Sequence, residues 1–87
     1  MPSFVYVLAS AKHGKPRTYV GWTLDLEQRL ERHNTSKGAK ATRGRAWVLL
    51  YAERHRTRNG AMRREWAIKH NRVFRAVLRD TAREALC

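Results

Sequence analysis

Phe4-Val5-Tyr6-Val7-Leu8-Ala9 and Thr18-Tyr19-Val20-Gly21-Trp22-Thr23 are the two stretches on which the fold turns. The first is almost wholly apolar and rich in aromatic and β-branched side chains, the pattern of a buried central strand. Lys12-His13-Gly14-Lys15-Pro16 is a basic, turn-forming linker, so the second stretch reads as the returning strand of a hairpin. Tyrosine is an odd choice for so buried a strand, because its hydroxyl needs a partner. A hairpin can bring the hydroxyls of Tyr6 and Tyr19 to the same end of the sheet, where they could orient a water against a phosphate. The plainer reading makes both of them core aromatics.

Outward from the hairpin, Asp25 with Gln28 three residues on suggests a helix N-cap, and Leu26 to His33 reads as the helix. Asn34 to Arg45 has no apolar periodicity and should be a mobile basic loop. Ala46 to Ala52 reads as a third strand, and Arg54 to Asn59 as a polar connection. Ala61 to His70 is expected to be helical, with Ala61, Glu65 and Ile68 on one stripe and Met62 and Trp66 beside it. Val73, Phe74, Val77 and Leu78 recur at helical spacing and give a last amphipathic helix to about Ala85. The order β-β-α-β-α-α describes an α+β fold. Three strands carry too little sheet to stand alone, so the helices must pack on it. Eighty-seven residues make one domain, 1–87, with no internal repeat.

Charge is the outlier in composition. Nineteen Lys and Arg stand against seven Asp and Glu, for a net charge of +12. That balance argues for a polyanionic partner, nucleic acid first and an anionic membrane surface second. A purely structural RNA-binding role would give the same charge. The one cysteine, Cys87, can form neither an internal disulfide nor a cysteine-rich zinc site. Met1 to Leu8 has no basic region ahead of its apolar run, unlike a signal peptide, and no apolar segment approaches the ~20 residues of a membrane span. A soluble cytoplasmic protein is expected.

The residues that can carry chemistry follow in order. Arg29 and His33 lie four apart and share one helix face. That face is either a solvated basic surface or a site in which Arg29 grips a phosphate with its planar fork and His33 helps move a proton. Glu65 replaces an apolar residue between Ala61 and Ile68. A carboxylate there must be paired, for example with Arg64 or Arg29, or must bind a cation. A single carboxylate suits Mg²⁺, which keeps waters and phosphate oxygens in its other positions. Lys37, Lys40, Arg43 and Arg45, spaced along the glycine-containing loop, read as phosphate-tracking cations, with a solvated loop as the alternative. Trp22 and Trp47 either stack bases or cover the sheet. His13, His55 and His70 are scattered in basic segments and read as solvated.

Taken together, Phe4-Val5-Tyr6, Tyr19-Val20-Gly21, Thr23, Arg29, His33-Asn34, the Gly-Ala-Lys-Ala-Thr-Arg loop and Arg64-Glu65-Trp66-Ala67-Ile68-Lys69-His70 resemble the GIY-YIG nuclease superfamily. The resemblance runs over roughly residues 4 to 79. It is closest to small stand-alone bacterial members, and the nuclease domain of structure-selective branched-DNA endonucleases is similar too. It implies a three-stranded antiparallel sheet flanked by helices. It also implies Mg²⁺- or Mn²⁺-dependent hydrolysis of DNA phosphodiesters that leaves a 5′ phosphate, in a repair or recombination setting. Tyr6 and Tyr19 would be the active-site tyrosines, with the choice of base open between them. Arg29 would be the phosphate ligand, His33 a proton or hydrogen-bond partner and Glu65 the metal ligand. Phe4 departs from the first motif's glycine, and Trp22 stands where some members carry a lysine. The expected partner is DNA, with RNA as the other candidate and a protein partner for targeting. The rival reading is a basic module that binds nucleic acid without cutting it.

Overall fold

The computed structural model describes residues 2–12, 14–35, 40–42 and 44–86. Strand β1 (Ser3–Lys12) and strand β2 (Lys15–Thr23) form the hairpin, and helix α1 (Leu26–Asn34) follows. A single 3₁₀ turn at Lys40–Thr42 precedes strand β3 (Val48–His55), helix α2 (Arg58–Lys69) and helix α3 (Arg72–Leu86). The sheet is antiparallel throughout, in the order β2-β1-β3.

The apolar run of β1 has a direct cause: it is the central strand, covered on both faces. Val5 and Val7 point into a core with Val20, Ala61, Ile68 and Leu78, which brings α2 and α3 onto one face. Tyr6 and Leu8 point the other way, where Trp47, Tyr19, Leu26 and Leu30 pack with them. Such a strand cannot alternate apolar and polar residues, because neither face sees water. The strands extend further than expected at the turn. Lys12 pairs with Lys15 across it, and Gly14 adopts φ +74°, a left-handed conformation that glycine takes without steric cost.

β3 begins two residues later than expected and runs into the segment read as a polar connection. A bulge between Val7 and Leu8 sets this register: Leu8 pairs with Leu49 and Val7 with Tyr51. Leu50 is the extra residue, so Leu50 and Tyr51 both serve the α2–α3 face. Helix caps explain the boundaries. Asp25 Oδ1 accepts from the Gln28 backbone N–H at 3.0 Å, as read from the sequence. Thr57 Oγ1 accepts from Gly60 N–H at 3.0 Å and starts α2 three residues before the expected Ala61. In α3, Phe74 and Leu78 face the core, while Val73 and Val77 lie outside it, 76 % and 54 % exposed.

Candidate active site

The site grows from the hairpin register. Tyr6 sits opposite Gly21 and Leu8 opposite Tyr19, so both tyrosines project from the same face at adjacent positions. Their ring centroids are 6.5 Å apart. α1 lays His33 against both rings, at centroid distances of 6.0 Å to Tyr6 and 5.0 Å to Tyr19. The imidazole is buried. Its Nε2 lies 3.0 Å from the Tyr6 hydroxyl and its Nδ1 2.7 Å from Thr42 Oγ1.

Gly21 makes room for this arrangement. A Cβ there would lie 2.5 Å from the Tyr6 hydroxyl oxygen and 2.7 Å from Cζ. The glycine of the second motif thus exists for the tyrosine of the first. Thr42 is held in turn by Trp47, whose indole N–H donates to the Thr42 carbonyl at 2.7 Å. Asn34 clamps the Trp47 backbone from the end of α1, accepting from its N–H at 2.6 Å and donating to its carbonyl at 3.0 Å. Trp47 is accordingly a core residue.

Arg29, one turn before His33 on α1, bears on the Tyr6 oxygen as a charge and as a donor. Its Nε is buried without a hydrogen-bond partner among the described residues. Leaving such a donor unmet is costly, and an arginine fork meets an oxyanion well. An open concavity of about 330 Å³ lies beside it, lined by Trp22, Thr23, Leu24, Asp25, Gln28 and Arg29. Trp22 also packs against the core, with the Arg58 guanidinium 5.9 Å from its ring centroid.

Electrostatics set the protonation states. Burial, above all, holds the Tyr6 phenol above the ordinary tyrosine value; Tyr19 and the Glu65 carboxylate push the same way and Arg29 opposes them. Burial also lowers the pKa of His33, helped by the positive charges of Arg29 and Arg32. Near pH 7 the pair is therefore a neutral phenol against a neutral imidazole. Arginine can only donate, so the phenol proton is best placed toward His33 Nε2, with Nδ1–H donating to Thr42.

Glu65 is close enough to raise the Tyr6 phenol, which ties α2 to the cluster. Its partner differs from the expected Arg64 or Arg29: Glu65 Oε1 pairs with Lys69 Nζ at 3.1 Å, one helical turn on. Arg64 is instead engaged by Glu53, with its Nε 3.0 and 3.1 Å from the two carboxylate oxygens. Tyr51 donates to the same carboxylate, and His55 Nε2 lies 3.1 Å from it. Burial alone would raise the Glu53 pKa, but the bonds from Arg64, Tyr51 and His55 outweigh it and hold it at about 2. His55 is therefore bound rather than solvated, and His70 stacks on Trp66. His13 lies outside the described residues.

The loop cations divide. Lys37 and Arg43 fall outside the described residues, and Lys40 is exposed. Arg45 is committed to the hairpin, donating to Ser10 Oγ at 3.1 Å and to the Lys15 carbonyl at 3.0 Å. The structure brings Tyr6, Tyr19, Arg29 and His33 together and sets Glu65 within electrostatic reach. The sequence reading gave Thr42 and Gly21 no role beyond membership of their motifs and did not single out the Glu53 cluster. The visible signals were Gly21's place in the second motif and Thr42's place in the loop motif.

Among the described residues no group of three or more His, Cys, Asp or Glu could hold a metal ion. Among them too, no helix is long and apolar enough to cross a membrane.

The model of the GIY-YIG catalytic domain matches residues 2–74. A UPF0213 protein of Streptococcus agalactiae serotype V is 43% identical over 70 residues, covering 79% of this chain and 76% of its own. One from Lactococcus lactis subsp. cremoris is 45% identical over 71 residues, covering 80% and 69%. The solution NMR structure of the UPF0213 protein BH0048 from Bacillus halodurans is similar at 35% identity, covering 90% of this chain and 82% of that one, with a TM-score of 0.50. Domains of this kind are typical of endonucleases, generally use a divalent metal and imply a nucleic-acid substrate. Two facing tyrosines, the histidine and arginine of α1 and a family model spanning most of the chain lead to one conclusion: the protein belongs to the GIY-YIG catalytic-domain family.

Proposed function

We propose that this protein is a divalent-metal-dependent endonuclease that hydrolyses DNA phosphodiester bonds, with branched or flap DNA in repair or recombination as its setting and the cytoplasm as its location. The observation that carries this reading is the buried Arg29 Nε, unmet among the described residues, beside the Tyr6–His33 hydrogen bond. It supplies an oxyanion-seeking donor next to a route for a proton.

Tyr6 orients the attacking water and passes its proton toward His33 Nε2, the neutral acceptor already 3.0 Å away. The Thr42 hydroxyl, 2.7 Å from Nδ1, fixes the ring for that task. Tyr19 closes the other side of the imidazole and helps exclude bulk water. Arg29 holds the phosphate and stabilises charge building on its oxygens. Glu65 is the carboxylate that would hold Mg²⁺ or Mn²⁺; a lone carboxylate fits an ion that keeps most of its waters. When bound, that ion supplies charge stabilisation for the departing 3′ oxygen. Exposed Lys40, together with Lys37 and Arg43 in the sequence, contributes to nucleic-acid affinity, and Arg45, bonded to the hairpin, adds its charge.

The Glu65–Lys69 ion pair favours a second reading, a module that binds without cutting, because it neutralises the carboxylate internally. A cleavage assay separates the two. Labelled duplex, flap and branched DNA and matching RNA are incubated with protein in Mg²⁺, Mn²⁺ or EDTA. Metal-dependent cutting that Glu65→Ala and Tyr6→Phe each reduce by about 10²-fold or more is expected. The half-exposed Glu65–Lys69 pair contributes only about 0.5 kcal/mol to stability, so Glu65→Ala should stay folded. Binding without cutting on every substrate would leave the binding module.

A further inference from the structure

Trp66 is the most exposed of the described aromatic side chains, at 63 %. It also sits on an ordered support. His70 stacks on its indole with centroids 4.1 Å apart and planes 22° from parallel. That imidazole is itself fixed, since Nδ1–H donates to the Trp66 carbonyl at 2.7 Å. One face of the indole is thus covered by a restrained ring, and the side chain is otherwise largely open to solvent.

The position on α2 gives this platform its meaning. Met62, Trp66 and Lys69 lie at i, i+4 and i+7, on the flank that also carries Glu65. Arg64 turns to the opposite flank, toward Glu53. Trp66 therefore lies on the Glu65 side of the helix, about a quarter-turn round from that carboxylate, rather than on the side of the structural cluster. The surroundings are cationic. Between Arg58 and Arg79 there are six arginines and one lysine against a single acid, Glu65.

We infer that Trp66, backed by His70, is a stacking platform for unpaired nucleobases next to the scissile phosphate. An exposed indole flanked by cations meets both halves of a single strand, π-faces and phosphates. Cationic flanks fit a protein partner less well, unless it is acidic. The inference rests on the nuclease reading above and adds to it a preference for substrates with a single-stranded arm next to the cut.

The test is binding in EDTA, where no cutting confuses the readout. Fluorescence anisotropy is measured with labelled oligothymidylate, an abasic oligomer of equal length and charge, and a blunt duplex. Wild type should bind oligothymidylate roughly 5-fold or more tighter than the abasic strand, the factor expected for stacking. Trp66→Ala should lower the ratio of oligothymidylate to duplex affinity by roughly 5- to 100-fold, and Trp66→Tyr should restore most of it. The abasic comparison needs no variant, so it holds even if Trp66→Ala folds poorly. Equal affinity for the thymidylate and abasic strands, or an unchanged ratio in Trp66→Ala, overturns the platform while leaving the nuclease reading intact. No binding to any oligonucleotide overturns both. A self-association seen in sedimentation and lost in Trp66→Ala reassigns the face to a second copy of the chain and overturns the platform.

Discussion

Gly21→Ala should disable the site through one methyl group. The added Cβ would lie 2.5, 2.7 and 3.1 Å from Oη, Cζ and Cε1 of Tyr6, where ordinary contacts begin near 3.4 Å. The phenol must therefore retreat by about 0.9 Å at its oxygen. It has nowhere cheap to go. Tyr6 is 2 % exposed, and its hydroxyl is already 3.0 Å from His33 Nε2, close to the limit of a good hydrogen bond. Overpacking costs about 1–3 kcal/mol, and loss of the hydrogen bond adds about 1 kcal/mol. The sum predicts a Tm lower by about 4–8 °C for each kcal/mol. Cleavage should fall with it, because the displaced atom is the one proposed to handle the water's proton. Gly14→Ala is the control. It strains a backbone at φ +74° but meets no atom within 4 Å, so it should cost about 1–2 kcal/mol and leave cleavage intact. Thermal melts and cleavage rates check both variants. Combining Gly21→Ala with Tyr6→Phe removes the 2.5 Å contact, so the stability losses should be less than additive by at least about 0.5 kcal/mol. Strict additivity, or Gly21→Ala with wild-type melting and activity, would refute the steric argument.

Two further outcomes follow from the buried charges. Glu53→Gln should destabilise the fold by about 2–3 kcal/mol at pH 7, because Arg64 loses its carboxylate partner. Glu53 is held at about 2, below its ordinary 4.5, so its stabilisation is present above the ordinary value and fades as pH falls toward 2. Melts of wild type and variant should converge with acid, and a gap that stays constant down to pH 2 would sink this assignment. His33 also costs stability in acid, in a higher pH window. Its pKa is lowered by burial and by Arg29 and Arg32, so below about pH 6.5 the unfolded chain binds the proton more readily than the fold does. Stability and kcat/KM should both drop as pH falls through that window, and an imidazole signal titrating above 6.5 by NMR would contradict the neutral proton acceptor.

What was legible in the sequence was what repeats or caps. β1 announced itself because burial on both faces leaves no polar position between Val5 and Ala9. α1 announced itself through Asp25 and Gln28, whose backbone N–H the cap does accept. Tyr6, Tyr19, Arg29 and His33 stood out because each is a polar group on a stretch that periodicity assigns to the interior or its edge. The misses share another cause. Whether Val73 or Phe74 faces the core depends on where α3 lies across the sheet, which helical spacing leaves open. The start of β3 depends on a bulge at Leu50, and one extra residue moves the face of everything before it. Thr42 stands in the loop motif, but its role is not legible there, since it exists only once the chain between α1 and β3 folds back to place its hydroxyl on His33. Glu65 and Glu53 differ from each other in this respect. Sequence marked Glu65 as the acid out of place, and in the fold it is partly buried, with Lys69 as its ion-pair partner. Glu53, in an unremarkable strand, turned out to be the more tightly held carboxylate, with Arg64, Tyr51 and His55 on it. A carboxylate with three side-chain partners is satisfied and structural. One with a single half-exposed lysine can exchange that partner for a cation, and that difference in commitment is the physical reason to look for the metal at Glu65.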